Sequence, residues 1–454
     1  MDDSDHSAGI RAGRLAEQAY AENFADSHPP LSHNQVLLES DRCYFCYDAP
    51  CIQACPTQID IPSFIRKIAT GNVQGAAHDI LKQNVMGAVC ARVCPTEVLC
   101  EGACVRNHQD RKPVAIGALQ RYATDFVFDR NIQLFSRAPD TGKRIAVVGG
   151  GPAGLSCAHR LAMLGHRVTV FEARTKLGGL NEYGVAAYKV TNNIAQREVD
   201  YLLQIGGIEV RLGHRLGRDI ALSQLRREHD AVFLGIGLGG VNALGIDEQQ
   251  LAGVEDAIAY IERLRQTRHL SGLPVGRSVV VIGGGMTAID IASQTKRLGA
   301  EDVTIVYRRG PGSMGASEKE QEWAQTSGVR IKHWARPVRV LGQRGVVSAV
   351  ELEYTRADER GGVTGTGSKF TLAADMLFKA IGQVLLSDGL DGAGDVLELE
   401  GARIEVDDER RTSIPGVWAG GDCVAGGKDL TVAAVEDGKR AARSIDHALR
   451  APAK

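Results

Sequence analysis

The sequence predicts a mixed α/β chain, with a small helical domain followed by two βαβ-built domains, the second set inside the first. Three observations carry this. Eight of the ten cysteines fall between Cys43 and Cys104, among helical rather than alternating patterns. A short β-branched run, a glycine turn and a helical pattern occur in that order twice, from residues 144 and 278. A third glycine turn, Ala419-Gly420-Gly421-Asp422, leads into a last helix.

The elements follow in order. Residues 8–25 read as a polar helical arm, closed by a turn at Pro29-Pro30. Helical patterns at 61–69 and 114–128 hold the cysteines between them. Residues 136–143 combine Pro, Gly and charge, as a linker does. Residues 144–148 are a strand, 152–164 a helix and 168–171 a second strand, which make one βαβ unit. The unit recurs as a strand at 278–282, a turn and helix from 283, and a strand at 303–307. Residues 337–373 alternate apolar and polar, an antiparallel meander broken at Arg360-Gly361-Gly362 and at 364–369. Residues 230–237 read as the strand and turn that close the first unit, and 432–449 as the last helix. The expected boundaries are a helical domain over 1–140, a first nucleotide domain over 141–245 and 384–454, and an inserted one over 246–383.

Composition agrees. At about 150 residues per domain, 454 residues suggest about three domains. Lys+Arg total 53 against Asp+Glu 55, a net charge of −2 that gives no reason to expect nucleic acid or an anionic membrane as partner. The apolar fraction of 44% excludes extensive disorder. Gly is 53 of 454 residues, above the usual level of about 7%, which points to tight turns and close backbone approaches. No run of 18 apolar residues, the length needed to cross a bilayer, occurs, so no transmembrane helix is expected, and the acidic start, Met1-Asp2-Asp3, does not read as a secretory signal. A cysteine cluster in such a chain argues for metal rather than disulfides, in the reducing cytoplasm.

The cysteines read Cys43-x2-Cys46-x4-Cys51-x3-Cys55-Pro56, then Cys90-x3-Cys94-Pro95 and Cys100-x3-Cys104. Close thiolate spacing lets one loop wrap several corners of an iron–sulfur cube, and eight thiolates suffice for two 4Fe-4S clusters. The rival is zinc, whose sites favour paired C-x2-C units. Only Cys43 and Cys46 have that spacing. Any single cysteine of the eight could also be a plain buried thiol.

The first glycine turn is Gly149-Gly150-Gly151-Pro152-Ala153-Gly154, with Gly149, Gly151 and Gly154 in G-x-G-x-x-G register. After a strand and before a helix, it offers backbone N–H groups and a helix N-terminus to a pyrophosphate. Glu172, at the end of the second strand, is placed for a ribose diol; otherwise it is a solvated strand-end acid. The second turn is Gly283-Gly284-Gly285-Met286-Thr287-Ala288, a candidate NAD(P)H site through Gly283, Gly285 and Thr287. There Arg308-Arg309 replace the acid, which suits a 2′-phosphate and favours NADP(H), unless they stack on adenine or face solvent. Gly421 and Asp422 would meet a flavin ribityl chain. Thr431 and Val432 would point a helix N-terminus at its pyrimidine edge. No nucleophile–base or paired-carboxylate constellation stands out, so no catalytic side chain is expected. Hydride transfer to FAD needs alignment rather than an acid or base.

Together these features resemble the glutamate synthase small subunit and the N-terminal half of dihydropyrimidine dehydrogenase, over residues 30–450. Within that superfamily the chain is most similar to the bacterial dihydropyrimidine dehydrogenase electron-input subunits. Pro113-Val114-Ala115-Ile116-Gly117-Ala118-Leu119-Gln120 matches their segment in which a glutamine amide is a cluster ligand, where glutamate synthase-like chains have glutamate. From spacing alone Gln120 would be an ordinary helix-surface residue. The resemblance implies Cys43, Cys46, Cys51 and Cys104 on one cluster and Cys55, Cys94, Cys100 and Gln120 on the other, with Cys90 unligated. Gly179 and Leu180, in Gly179-Leu180-Asn181-Glu182-Tyr183-Gly184, loosely match its flavin-side loop. It also implies that a partner polypeptide carries the FMN-containing, pyrimidine-reducing barrel. The related subunits use NADH, whereas Arg308-Arg309 favour NADPH. The expected function is electron input from NAD(P)H through FAD and two clusters. The alternatives are a glutamate synthase-type small subunit and a non-catalytic scaffold.

Overall fold

In the computed structural model, residues 9–246, 251–359, 361–386, 390 and 396–450 are described. They form two compact units. The larger comprises His28–Glu182, Asn192–Gly239 and Leu385–Lys454, the smaller Met1–Ser27, Tyr183–Thr191 and Gly240–Val384.

The larger unit begins with the helical block. Its helices include His33–Ser40, Ile61–Ala69, Val73–Gln83, Gly87–Val93 and Ile116–Asp129. The Ile61–Ala69 helix starts where Asp60 caps Ser63 N at 3.1 Å. It buries Ile61, Phe64, Ile65 and Ile68, one face at i, i+3, i+4 and i+7. That face packs with Ile80, Leu119 and Val127 in one core. The same unit holds a five-stranded parallel sheet in the order Val417–Ala419, Ala231–Leu234, Arg144–Val148, Arg167–Glu172, Ile208–Leu212. Its central strand is buried from Ile145 to Val148, as a parallel strand covered on both faces must be. The Pro152–Met163 and Thr431–Arg450 helices pack together against it.

The smaller unit repeats the plan with the order Val329–His333, Asp302–Tyr307, Ser278–Gly283, Met376–Ala380, Val254–Asp256, all parallel. An antiparallel meander, Ala335–Gln343, Val346–Ala357 and Val363–Ala373, completes it.

Two expectations need correcting. The N-terminal arm is not one helix. Ile10–Arg11 is a strand paired with Val275–Gly276, followed by a helix over Glu17–Asn23. The Cα pairing with residue 276 places this segment in the smaller unit, not with the helical block. Residues 364–369 do not break the meander but lie in its third strand, whose polar residues are mostly exposed along one edge of the sheet. Residue 8 and Arg360 lie outside the described residues. Among the described residues no helix is long and apolar enough to cross a membrane.

Candidate metal and dinucleotide sites

Cys43, Cys46, Cys51 and Cys104 line one cavity with Pro50, Ile61, Ile65 and Ile116. The loop after the His33–Ser40 helix brings the first two there, bent by Phe45 at a φ of 52°, whose N–H donates to Cys43 Sγ at 3.4 Å. Burial pushes the Cys51 thiol up to about 12 and raises Cys43. A thiolate in this apolar cavity is therefore costly unless a cationic centre neutralises it, and loading such a centre releases protons.

Cys55, Cys94 and Cys100 form a second group, in which Cys55 and Cys100 are close enough to raise the Cys94 thiol and Cys55 to raise that of Cys100. Cys94 caps the Gly87–Val93 helix at its C-terminal end. Its thiol is pushed well up, first by a hydrogen bond with Cys90 and then by burial. Gln120 is on the buried face of the Ile116–Asp129 helix, not its surface. Its Nε2 donates to Gly87 O at 2.7 Å, which leaves Oε1 for coordination. Among the described residues no three Cys, His, Asp or Glu side chains converge on a single ion. Thiols arranged around a cavity suit a four-iron cube better than one tetrahedral zinc.

One charged residue here gave no sequence signal. Glu198 is buried in the Ile194–Leu203 helix and accepts from Ala88 N at 2.8 Å and Val89 N at 3.2 Å. It thus ties down the first turn of the helix that ends at Cys94, and burial pushes its carboxyl up to about 8.

At the first glycine turn Gly149 has a φ of 103°, and a Cβ there would sit 2.2 Å from Gly235 O. A Cβ on Gly154 would be 1.9 Å from Gly149 O, so this glycine sets how closely the helix meets the strand. At Gly151 the nearest atom to such a Cβ is Gly179 Cα at 3.7 Å, which leaves the backbone open to a ligand. The Pro152–Met163 helix has no side-chain cap, so its first N–H groups are free of protein partners from that source. Glu172 accepts from Gly150 N at 2.7 Å and Arg174 N at 2.8 Å, locking the turn and the strand end together. Gly179 and Leu180 lie beside this turn, where Gly178 N donates to Gly150 O at 2.7 Å. Thr431, at the start of the last helix, donates to Asn181 Oδ1 at 2.7 Å. Val432 is buried behind it. Gly421 N donates to Asp437 Oδ2 at 2.9 Å. Burial, with Asp429 and Asp437 nearby, pushes Asp422 up to about 6. The Gly149–Gly154 turn, Gly179-Leu180, Gly421-Asp422 and the Thr431 helix start therefore all belong to the larger unit, whereas Tyr183 and Gly184 belong to the smaller one.

The second turn is built alike. Gly283 has a φ of 152°, and a Cβ there would sit 2.1 Å from Ala380 O. Gly285 has open space beside it, and Thr287 lies in the first turn of the Met286–Arg297 helix. The strand end differs. Arg308 is exposed, and Arg309 carries a buried Nε with no hydrogen-bond partner. The 311–316 segment, unflagged by any motif, runs beside the turn, with Ala316 N donating to Gly284 O at 3.0 Å.

Comparison with known proteins agrees with this geometry. Residues 20–132 match the family model described as dihydropyrimidine dehydrogenase domain II, 4Fe-4S cluster. Residues 143–438 match the pyridine nucleotide-disulphide oxidoreductase model. The chain is 35% identical to the NAD-dependent dihydropyrimidine dehydrogenase subunit PreT of Salmonella typhimurium, over 96% of this chain and 98% of that one. It is 33% identical to the glutamate synthase [NADPH] small chain of Escherichia coli, over 93% of each. Mycobacterium tuberculosis FprA in complex with NADPH shares the fold, with a TM-score of 0.57 over 69% of this chain and 85% of that one, at 17% identity. A 4Fe-4S domain thus precedes a flavin- and NAD(P)-binding oxidoreductase domain, and the chain belongs to the pyridine nucleotide-disulphide oxidoreductase family, alongside NAD-dependent dihydropyrimidine dehydrogenase PreT subunits and the glutamate synthase [NADPH] small chain.

Proposed function

We propose that this chain is the electron-input subunit of a cytoplasmic dihydropyrimidine dehydrogenase, with FAD on 141–245 and 384–454 and NAD(P)H on 246–383. When the groups are bound, the chemistry is hydride transfer from NAD(P)H to FAD, then single-electron transfer through two 4Fe-4S clusters to an FMN-containing partner that reduces uracil or thymine. In this reading Gly149, Gly151 and Gly154 approach the FAD pyrophosphate and Glu172 its ribose. Gly179, Leu180, Gly421, Asp422, Thr431 and Val432 surround the flavin. Gly283, Gly285 and Thr287 take the nicotinamide nucleotide's pyrophosphate, and Arg308 and Arg309 its 2′-phosphate. Cys43, Cys46, Cys51 and Cys104 hold one cluster; Cys55, Cys94, Cys100 and Gln120 hold the other.

The observation that carries the choice is Gln120, buried in the cysteine block with its amide nitrogen fixed by Gly87 O. The similarity to a glutamate synthase small chain keeps a second reading in play, electron input to a glutamine-using partner. Anaerobic co-expression with a candidate FMN partner decides between them. NAD(P)H-dependent uracil reduction is expected only with both chains. Dye-linked NAD(P)H oxidation by a flavin- and iron-loaded chain that supports no uracil reduction would sink the first reading in favour of the second.

A further inference from the structure

The larger unit buries a cation that no glycine turn or cysteine motif accounts for. Lys439 lies within the Thr431–Arg450 helix and is 3% exposed. Its ammonium donates to Thr57 O at 3.0 Å, Gln83 O at 3.2 Å and Gln83 Oε1 at 3.1 Å. It is ion-paired with Glu436 at 2.6 Å. Taking an ammonium out of water costs several kcal/mol before its partners offset it. Thr57 is fully buried, and its hydroxyl lies 3.4 Å from Cys55 Sγ. The cation therefore reaches the backbone of the very loop that carries Cys55.

The N-terminal half of the same helix, up to Asp437, meets the proposed flavin-side elements. Thr431 bonds Asn181, and Asp437 holds Gly421 N. A Cβ on Gly438 would be 2.1 Å from Ala153 O, so the helix rests directly on the Pro152–Met163 backbone, which fixes the place of Lys439. Arg160 and Arg443 are also in electrostatic range of Lys439.

We propose that Lys439 is a positioning residue that raises the reduction potential of the centre held by Cys55, so that electrons leaving the flavin end of this helix pass toward it. The step is a one-electron reduction with no bond made or broken. It adds one negative charge, which a nearby buried cation stabilises. The inference rests on the cluster assignment proposed above.

The test is an EPR-monitored potentiometric titration of the intact, anaerobically purified chain, with iron analysis alongside. Gln120→Ala marks which signal belongs to the Cys55 centre. Lys439→Met is expected to raise that centre's oxidised-to-reduced ratio at fixed potential on the order of tenfold, or ~59 mV downward for one electron. Glu436→Gln keeps the lysine and removes its counter-ion, so the shift is expected upward. The centre of Cys43, Cys46, Cys51 and Cys104 is expected to move less in both. Unchanged potentials, shifts of the same sign in the two variants, or equal shifts at both centres would overturn the proposal. If Lys439→Met does not fold, Glu436→Gln decides alone, since an unchanged potential there refutes it. A wild-type chain without iron would bring down the cluster assignment itself, visible in the iron analysis before any potential is read.

Discussion

The two glycine turns solve one problem twice and diverge at one place. Each follows a central parallel strand, opens a helix without a side-chain cap, and uses a left-handed glycine where a Cβ would strike a carbonyl oxygen about 2 Å away, Gly235 O in one and Ala380 O in the other. The end of the neighbouring strand differs. Glu172 is bonded to its own turn through Gly150 N, whereas Arg308 is exposed and Arg309 keeps an orphaned Nε. The lesson is a division of labour. In the proposed reading the turn is a generic diphosphate cradle, and the strand end selects what lies beyond it.

The harshest way to break this comparison is Gly154→Ala. The added Cβ would meet Gly149 O at 1.9 Å, both atoms being held by backbone. A loss of about 3 kcal/mol, the top of the usual range for overpacking, is expected, with FAD absent after purification. Gly285→Ala has open space beside it and should leave the melting midpoint and FAD content intact. An equally damaged Gly285→Ala would contradict the open space that Gly285 shares with its counterpart Gly151.

Exchange at the strand ends sharpens the contrast. Arg308→Ala should raise KM for NADPH about 10- to 100-fold and leave that for NADH unchanged, as expected when a charge-assisted contact worth about 1.5–3 kcal/mol is lost. Equal effects on both nucleotides would remove the 2′-phosphate role. Glu172→Gln preserves the shape but weakens the tie to Gly150 N, with a cost of about 1 kcal/mol. FAD release on heating should come earlier, with NADPH kinetics unmoved. A shift in NADPH kinetics instead would contradict the assignment of this strand end.

The smallest effect concerns pH. Asp422 is raised from an ordinary carboxylate value of 3.8 to about 6, chiefly by burial. Folding therefore favours its protonated form. That contribution is complete below about pH 4 and is lost as pH rises through 6. The flavin-free protein should lose a few degrees of thermal midpoint across this window. Asp422→Asn should flatten that slope, and an identical slope in the variant would place its origin elsewhere.

The parts legible in the sequence are those set by local periodicity. The Ile61–Ala69 helix, both βαβ units and the Thr431–Arg450 helix follow their apolar spacing closely. The glycine turns were legible because backbone geometry restricts residue choice there. Buried charges were not. Nothing in the sequence singles out Glu198, Lys189 or Lys439, yet each is buried and bonded to residues distant in sequence. Lys189 is paired with Asp290 and Glu320, both at 2.9 Å. Gln120 had no local signal either, since its amide is turned inward by Gly87 O from another helix. The Ile10–Arg11 strand escaped for the same reason, as its partner is Val275–Gly276.

That small pairing sets a schedule for synthesis. Ile10 meets Gly276, so the segment waits for 266 further residues (276 − 10) before its partner exists. At about 5–20 residues per second the wait is roughly 13 to 53 s. During it the cysteine block, complete by Cys104, can be made before the smaller unit can close. Synthesis of the cysteine block and closure of the smaller unit are thus separated in time on the ribosome. A two-residue strand, too short to template other pairings, is well suited to being left open that long.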